Sequence, residues 1–332
     1  MSQTNTATDA APLPAIAVEG LSQRYGRTLA LDNISLTVPT GSLFALIGPN
    51  GAGKSTLIDI LCTIRAPLSG RALVAGLDVS RDPRGVRRRI GVIFQNSTLD
   101  TRLSVFDNLQ FHARVHAMDR AERHERIDYM LDLVQLTEWR RSPVRALSAG
   151  MKRRLEIARG LLHDPEILFM DEPTVGLDPQ SRANIWQYLA ELRQRTGLTI
   201  VVTTHYIDEV GGADQVCVID RGKILVHGTP AALKAAHGTT LLRLQPEGED
   251  GRAAILSAHP DAIDTPDGTM LVRFASLPEA EGALAALRGR IGLATLEPPS
   301  LESVFLNLTG RALREEAPAP GRGKAQAGRG RK

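Results

Sequence analysis

The segment Gly48-Pro49-Asn50-Gly51-Ala52-Gly53-Lys54-Ser55-Thr56 fits G-x-x-x-x-G-K-[ST] and restricts the fold more than any other stretch. Ser42–Ile47 before it is a short apolar run of the kind that forms a buried parallel strand. Leu57-Ile58-Asp59-Ile60-Leu61 after it reads as the opening of a helix. Strand, glycine-rich turn and helix in that order are the setting of a phosphate-binding loop. Its glycines let consecutive backbone N–H groups turn inward on a polyphosphate, and the helix N-terminus adds partial positive charge. Lys54 would reach the β- and γ-phosphates, and the Ser55 hydroxyl would ligate a bridging Mg2+.

A length of 332 residues accommodates one large domain and a smaller one, and 42% hydrophobic with 23% charged residues is the balance of a globular protein. No apolar run is long enough to span a bilayer. Met1 to Pro14 lacks the basic start and apolar centre of a secretory signal, and residues 1–14 read as disordered. Cys62 and Cys217 lie in apolar segments without metal-ligand or redox spacing, as buried free thiols would. The net charge of +3 arises from Ala317 onward, where Arg322, Lys324, Arg329, Arg331 and Lys332 occur without an acid. The remainder is slightly acidic, which argues against nucleic-acid binding by the folded body.

In chain order, Ile16–Leu21 and Ile34–Val38 alternate like half-buried strands. Tyr25 between them reads either as an ordinary surface tyrosine or as a platform for a base. Ile90–Gln95 is a strand ending in an amide, and Val105 to about Val134 has a helical pattern throughout. Its run Arg120–Arg126 reads as a solvated helix face. Ser148 is placed to cap a helix that continues through Leu162. Ile167–Glu172 is an apolar strand ending in two acids, Gly176-Leu177-Asp178 is a turn, and Leu198–Thr204 is a buried strand delivering His205. Functional residues thus gather at strand C-termini, where open α/β sheets bind ligands.

Phosphate loop, Gln95, the Leu147-Ser148-Ala149-Gly150-Met151 helix start, Asp171-Glu172, Gly176-Leu177-Asp178 and His205 together resemble the ATP-binding cassette of ABC transporters, over roughly 16–233. The resemblance implies a P-loop α/β cassette with a mixed core sheet, an antiparallel β layer and a helical subdomain. It makes Gly48–Thr56 the Walker A loop and Tyr25 the adenine-stacking aromatic. Gln95 becomes the Q-loop glutamine that senses Mg2+, Asp171 the Walker B acid that holds Mg2+ in its outer shell, and Glu172 the base that polarises the attacking water. Asp178 corresponds to the aspartate at the dimer interface, and His205 to the switch histidine on the γ-phosphate. Ser148 and Gly150 would act on the nucleotide of the opposite subunit, and Ala149 and Met151 depart from the usual L-S-G-G-Q. Met151 is expected to point away from the nucleotide.

From about Gly238 the pattern changes to βαββαβ, the order of a small ferredoxin-like α+β module, closed by an amphipathic helix over Pro299–Arg311. The expected division is 1–14, a cassette at 15–237, a C-terminal module at 238–311 and a disordered basic tail at 312–332. With Gly150-Met151-Lys152-Arg153-Arg154 after the signature serine, the chain resembles the daunorubicin-resistance type of ATPase subunit and its nodulation-factor and polysaccharide export relatives.

That resemblance implies a cytoplasmic ATPase on the inner face of the cell membrane, with ATP and Mg2+ as ligands. It would homodimerise with ATP at the interface and power export through a separately encoded membrane-spanning permease. A soluble ABC protein of translation or DNA repair is the alternative; it would carry two cassettes or a long coiled-coil insert, and neither is found here. The tail's cationic repeats serve either as a solubilising appendage or as a contact for anionic lipid.

Overall fold

The structure is a computed structural model describing residues 13–310 apart from Pro266; most of the N-terminal segment and the whole basic tail lie outside the described residues. The chain runs β1 (Ile16–Tyr25), β2 (Thr28–Val38), β3 (Leu43–Ile47), α1 (Lys54–Leu61), β4 (Ser69–Val74), β5 (Leu77–Asp78), α2 (Pro83–Arg89) and β6 (Ile90–Ile93). Then come α3 (Val105–Val115), α4 (Arg120–Leu133), α5 (Ala149–Leu161), β7 (Ile167–Asp171), α6 (Pro179–Thr196), β8 (Thr199–Thr204), β9 (Gln215–Asp220), β10 (Lys223–Gly228) and α7 (Pro230–His237). The last part is β11 (Thr240–Pro246), α8 (Gly248–Ala258), β12 (Ile263–Asp264), β13 (Met270–Phe274), α9 (Leu277–Ala286), β14 (Ile291–Glu297) and α10 (Leu301–Thr309).

The central sheet has the order β10-β9-β3-β8-β7-β6, parallel except for the β9–β10 hairpin. Both faces are buried, and the period of 2 in a strand divides its side chains between two cores. Phe44, Leu46, Phe169, Val201, Cys217 and Ile219 face the antiparallel layer β2-β1-β4-β5 and α1. Leu43, Ala45, Ile47, Leu168, Met170, Ile200, Val202, Val216 and Val218 face the helical side built by α3 to α6. The inner strands β3 and β7 are therefore almost continuously apolar although their residues alternate sides, whereas the edge strand β10 alternates exposed and half-buried residues.

The helical pattern expected from Val105 to about Val134 is realised as two helices, α3 and α4. Ala117 adopts φ of 57° between them, a left-handed conformation that a continuous helix cannot hold. Asp119 then caps α4 by accepting from the Glu122 N–H at 2.9 Å. Another difference lies at the phosphate loop. The helix opens at Lys54 rather than Leu57, so Lys54, Ser55 and Thr56 form its first turn.

The third sheet is antiparallel, in the order β12-β13-β11-β14, with α8 and α9 packed on it around Leu242, Leu244, Ile255, Met270 and Val272. The closing helix α10 does not belong to this core alone. Its Leu301 and Phe305 enter the helical-side core of the first part of the chain, while Leu306 packs on Leu241 and Leu271. Ser300 and Ser303 form a capping box at its start, and the Thr239 N–H donates to Ser303 Oγ at 3.1 Å. The Asn307 amide donates to the His237 carbonyl at 3.3 Å.

Candidate nucleotide-binding and hydrolysis site

The phosphate loop leaves the C-terminal end of β3 and wraps back onto α1. Two of its glycines are required by contact. A Cβ on Gly48 would lie 2.2 Å from the Ile219 carbonyl oxygen, and one on Gly53 would lie 2.6 Å from the Ala30 carbonyl oxygen. Gly53 also has φ of 112°. With these backbones close together, the Lys54 ammonium folds back into the loop. It is 5% exposed and donates to the Gly48 carbonyl at 2.7 Å and the Pro49 carbonyl at 3.3 Å. Burial lowers its pKa, while Glu172 works in the opposite direction.

At the end of β7, Glu172 has φ of 47°. A non-glycine residue in this region is held there by its surroundings. Its N–H donates both to the Thr203 carbonyl at 3.1 Å and to Thr203 Oγ1 at 3.0 Å. The same fully buried hydroxyl donates to Asp171 Oδ1. Thr203 thus ties Asp171 and Glu172 together through one oxygen.

The Glu172 carboxylate collects the other motif residues. The Gln95 amide donates to Oε2 at 3.0 Å. His205 Nδ1 is 3.3 Å from Oε1 and Lys54 Nζ 3.5 Å from the same oxygen. The hydrogen bond from His205 is the main cause that lowers the Glu172 pKa, and the charge of Lys54 adds to it against burial. Three residues separated widely in sequence meet on one carboxylate.

Other expected site residues stand apart from this cluster. Tyr25 is 40% exposed at the end of β1, and the Arg65 guanidinium lies over its ring at 4.6 Å. Ser148 caps α5 by accepting from the Met151 N–H at 3.2 Å. Asp178 caps α6, accepting from the Ser181 N–H at 2.9 Å and its hydroxyl at 2.6 Å. A Cβ on Gly150 would approach only Ser181 Oγ, at 3.8 Å, so the two helix starts are neighbours. Met151 packs against the helical-side core. Among the described residues, no hydrogen bond or ion pair joins Ser148, Gly150 or Asp178 to the Lys54–Glu172 cluster.

Some functional residues escaped sequence reasoning. Thr203 gave one signal, a polar residue in an apolar strand two positions before His205. Arg153 and Glu156 on α5 are 7% and 4% exposed and paired at 2.7 Å. Arg153 also donates to the Phe94 carbonyl at 3.0 Å, and Arg159 donates to the Thr98 carbonyl at 3.0 Å. The signature helix therefore grips the loop carrying Gln95 on both sides. Only the i,i+3 spacing of an Arg and a Glu on an apolar face hinted at this.

Comparison with known proteins agrees with this geometry. The ABC transporter family profile matches residues 31–175. The daunorubicin resistance ATP-binding protein DrrA3 of Streptomyces coeruleorubidus is 37% identical over 313 residues, covering 91% of this chain and 99% of that protein. The chain belongs to the ABC transporter ATP-binding proteins. It is an ATPase subunit of that family, and ATP binding goes with the cassette. Nod factor export ATP-binding protein I of Rhizobium sp. (strain N33) is 38% identical over 90% of this chain and 98% of its own length. The structure of cbiO1 from Clostridium perfringens, part of the ABC transporter complex cbiONQ, matches with a TM-score of 0.63 and 32% identity. The match covers 73% of this chain and 95% of cbiO1. No helix among the described residues is long and apolar enough to cross a membrane.

Proposed function

We propose that this ABC ATPase subunit homodimerises with ATP between its copies and drives export through a separate membrane-spanning permease. The convergence of Lys54, Gln95 and His205 on Glu172 is the observation that supports hydrolysis best. In this arrangement Lys54 and His205 hold the base at the phosphate loop, where a γ-phosphate would compete for them. ATP entering the loop takes Lys54 and His205 onto its phosphate oxygens, and Glu172 is released to orient water and accept its proton. The exposed hydroxyl of Ser55 and the carboxylate of Asp171 are hard oxygen donors that fit Mg2+, with Gln95 beside them. Bound there, Mg2+ would neutralise charge on the β- and γ-phosphates.

Ser148 and Gly150 lie at the start of α5, where backbone N–H groups suit an anion. Their separation from the Lys54 cluster supports their acting on the nucleotide of a second copy, with Asp178 at the same interface. Tyr25 stacks on the adenine once Arg65 moves aside. The relatives named for daunorubicin resistance and Nod factor export make a drug, lipid or glycoconjugate the cargo class. Exposure of Phe94 (40%), Leu103 (39%) and Phe111 (67%) supports docking of the helical side on a permease at the inner face of the cell membrane. The sheet order β12-β13-β11-β14 with two helices supports a ferredoxin-like module at 238–311, following a cassette at 15–237. The basic tail adds a contact with anionic lipid, which deletion of residues 315–332 should weaken in vesicle binding at low salt.

Mixed dimers of Lys54→Ala and Ser148→Arg test the shared site. One of their two sites carries both lesions and the other neither. Trapping of a nucleotide analogue above either parent variant is expected. No gain, in dimers shown to be mixed, would refute the two-chain site.

A further inference from the structure

We propose that His112, His116 and His163 form a binding site for a divalent transition ion of the Zn2+ class. His112 is in the last turn of α3 and His116 is its capping residue, so a spacing of four puts both rings on one face. His163 follows α5, and its ring stacks on that of His116 with centroids 3.8 Å apart and planes 13° apart. One ring nitrogen from each histidine lies within 4.8 Å of the others. Tetrahedral Zn2+ needs ligand nitrogens about 3.3 Å apart, given Zn–N of about 2.0–2.1 Å, so the rings of His116 and His163 must turn out of their stack to close on an ion.

The tautomer of His163 is determined by its neighbour. Its Nε2 lies 2.9 Å from the Ile90 carbonyl oxygen, which can only accept, so Nε2 carries the proton. The lone pair is on Nδ1, which is buried and without a hydrogen-bond partner. A histidine donating one nitrogen to a carbonyl and offering the other is the usual posture of a metal ligand. Burial holds the pKa of His112 and of His163 down to about 4, and lowers that of His116.

The surrounding charges are divided. Arg159 and Arg126 oppose protonation here and would oppose a cation. Arg159 is engaged with the Thr98 carbonyl, and Arg126 with the Leu161 and Leu162 carbonyls and the Asp164 carboxylate. His116 and His163 border a cavity of ≈ 390 Å³ that Glu122, Asp164, Arg88 and Arg126 also line. Water from that cavity can take a fourth position on the ion. Three imidazoles without a carboxylate select Zn2+-class ions over Mg2+. A bound ion would tie α3 to the turn that leads into β7, the strand carrying Asp171.

Tag-free, chelator-stripped full-length protein should be titrated with ZnCl2 by calorimetry and with CoCl2 by visible absorption. Binding of one ion per chain, with the intense bands of four-coordinate Co2+, is expected. His116→Asn, at a half-exposed helix cap that accommodates asparagine, should weaken Zn2+ at least about 100-fold. Its circular dichroism should be unchanged, and His259→Ala should bind as the wild type does. The site is refuted if His116→Asn binds Zn2+ like the wild type, or if Co2+ gives only the weak bands of six-coordination.

Discussion

Lys54 Nζ stands 3.5 Å from Glu172 Oε1, so the lysine of the phosphate loop is paired with the carboxylate proposed as the catalytic base. ATP must break this pair, and the carboxylate then repels the incoming phosphates. Glu172→Gln removes both obstacles. ATP should bind that variant as tightly as the wild type or up to roughly tenfold tighter. Its phosphate release should fall by at least about 100-fold. Equilibrium nucleotide binding and a phosphate-release assay separate the two effects, and hydrolysis near the wild-type rate would remove Glu172 from its role.

Lys54→Ala has the opposite signature. It removes the ammonium that the Gly48 and Pro49 carbonyls hold inside the loop. ATP affinity and turnover should both fall, affinity by about tenfold or more, because a charge-assisted contact to phosphate is lost. The same two assays report it.

Thr203→Val keeps the shape of the side chain and removes one hydroxyl. That hydroxyl accepts from the Glu172 N–H and donates to Asp171. Stability should drop by about 1–3 kcal/mol, since buried polar groups lose their partner. Turnover should fall about tenfold at unchanged ATP affinity, because Asp171 loses its hydroxyl donor and Glu172 keeps only its bond to the residue 203 carbonyl. Denaturant unfolding and steady-state kinetics measure the two losses.

Neither cysteine should react with a maleimide in the native protein. Both are buried; desolvation raises the Cys62 thiol well above its usual range and pushes Cys217 up to about 12. Mass spectrometry should show no label under native conditions and two labels after denaturation.

Much of the site was legible because its residues occur in ordered motifs at the ends of apolar strands. A strand buried on both faces shows itself as an uninterrupted run, as in Leu43–Ile47 and Ile167–Met170, whichever core each side chain enters. Less visible were features that depend on local conformation or on distant partners. Ala117 ends a helix without the glycine that would have announced it. The buried Arg153–Glu156 pair looks like an exposed helical pair until the Phe94 carbonyl is brought against it. The meeting of Gln95, Lys54 and His205 on one carboxylate needs the strand order, which no local pattern encodes.

Leu301 and Phe305 give α10 a consequence for anyone cutting or recombining this chain. The last described helix completes the core of the first half, so residues 239–298 behave topologically as an insert between α7 and α10. Truncation at 237 would strip Phe305 from its neighbours and leave an apolar socket open to water, inviting aggregation. A chimera that exchanges modules between relatives should keep α10 with the recipient cassette and splice on either side of the β11–β14 sheet.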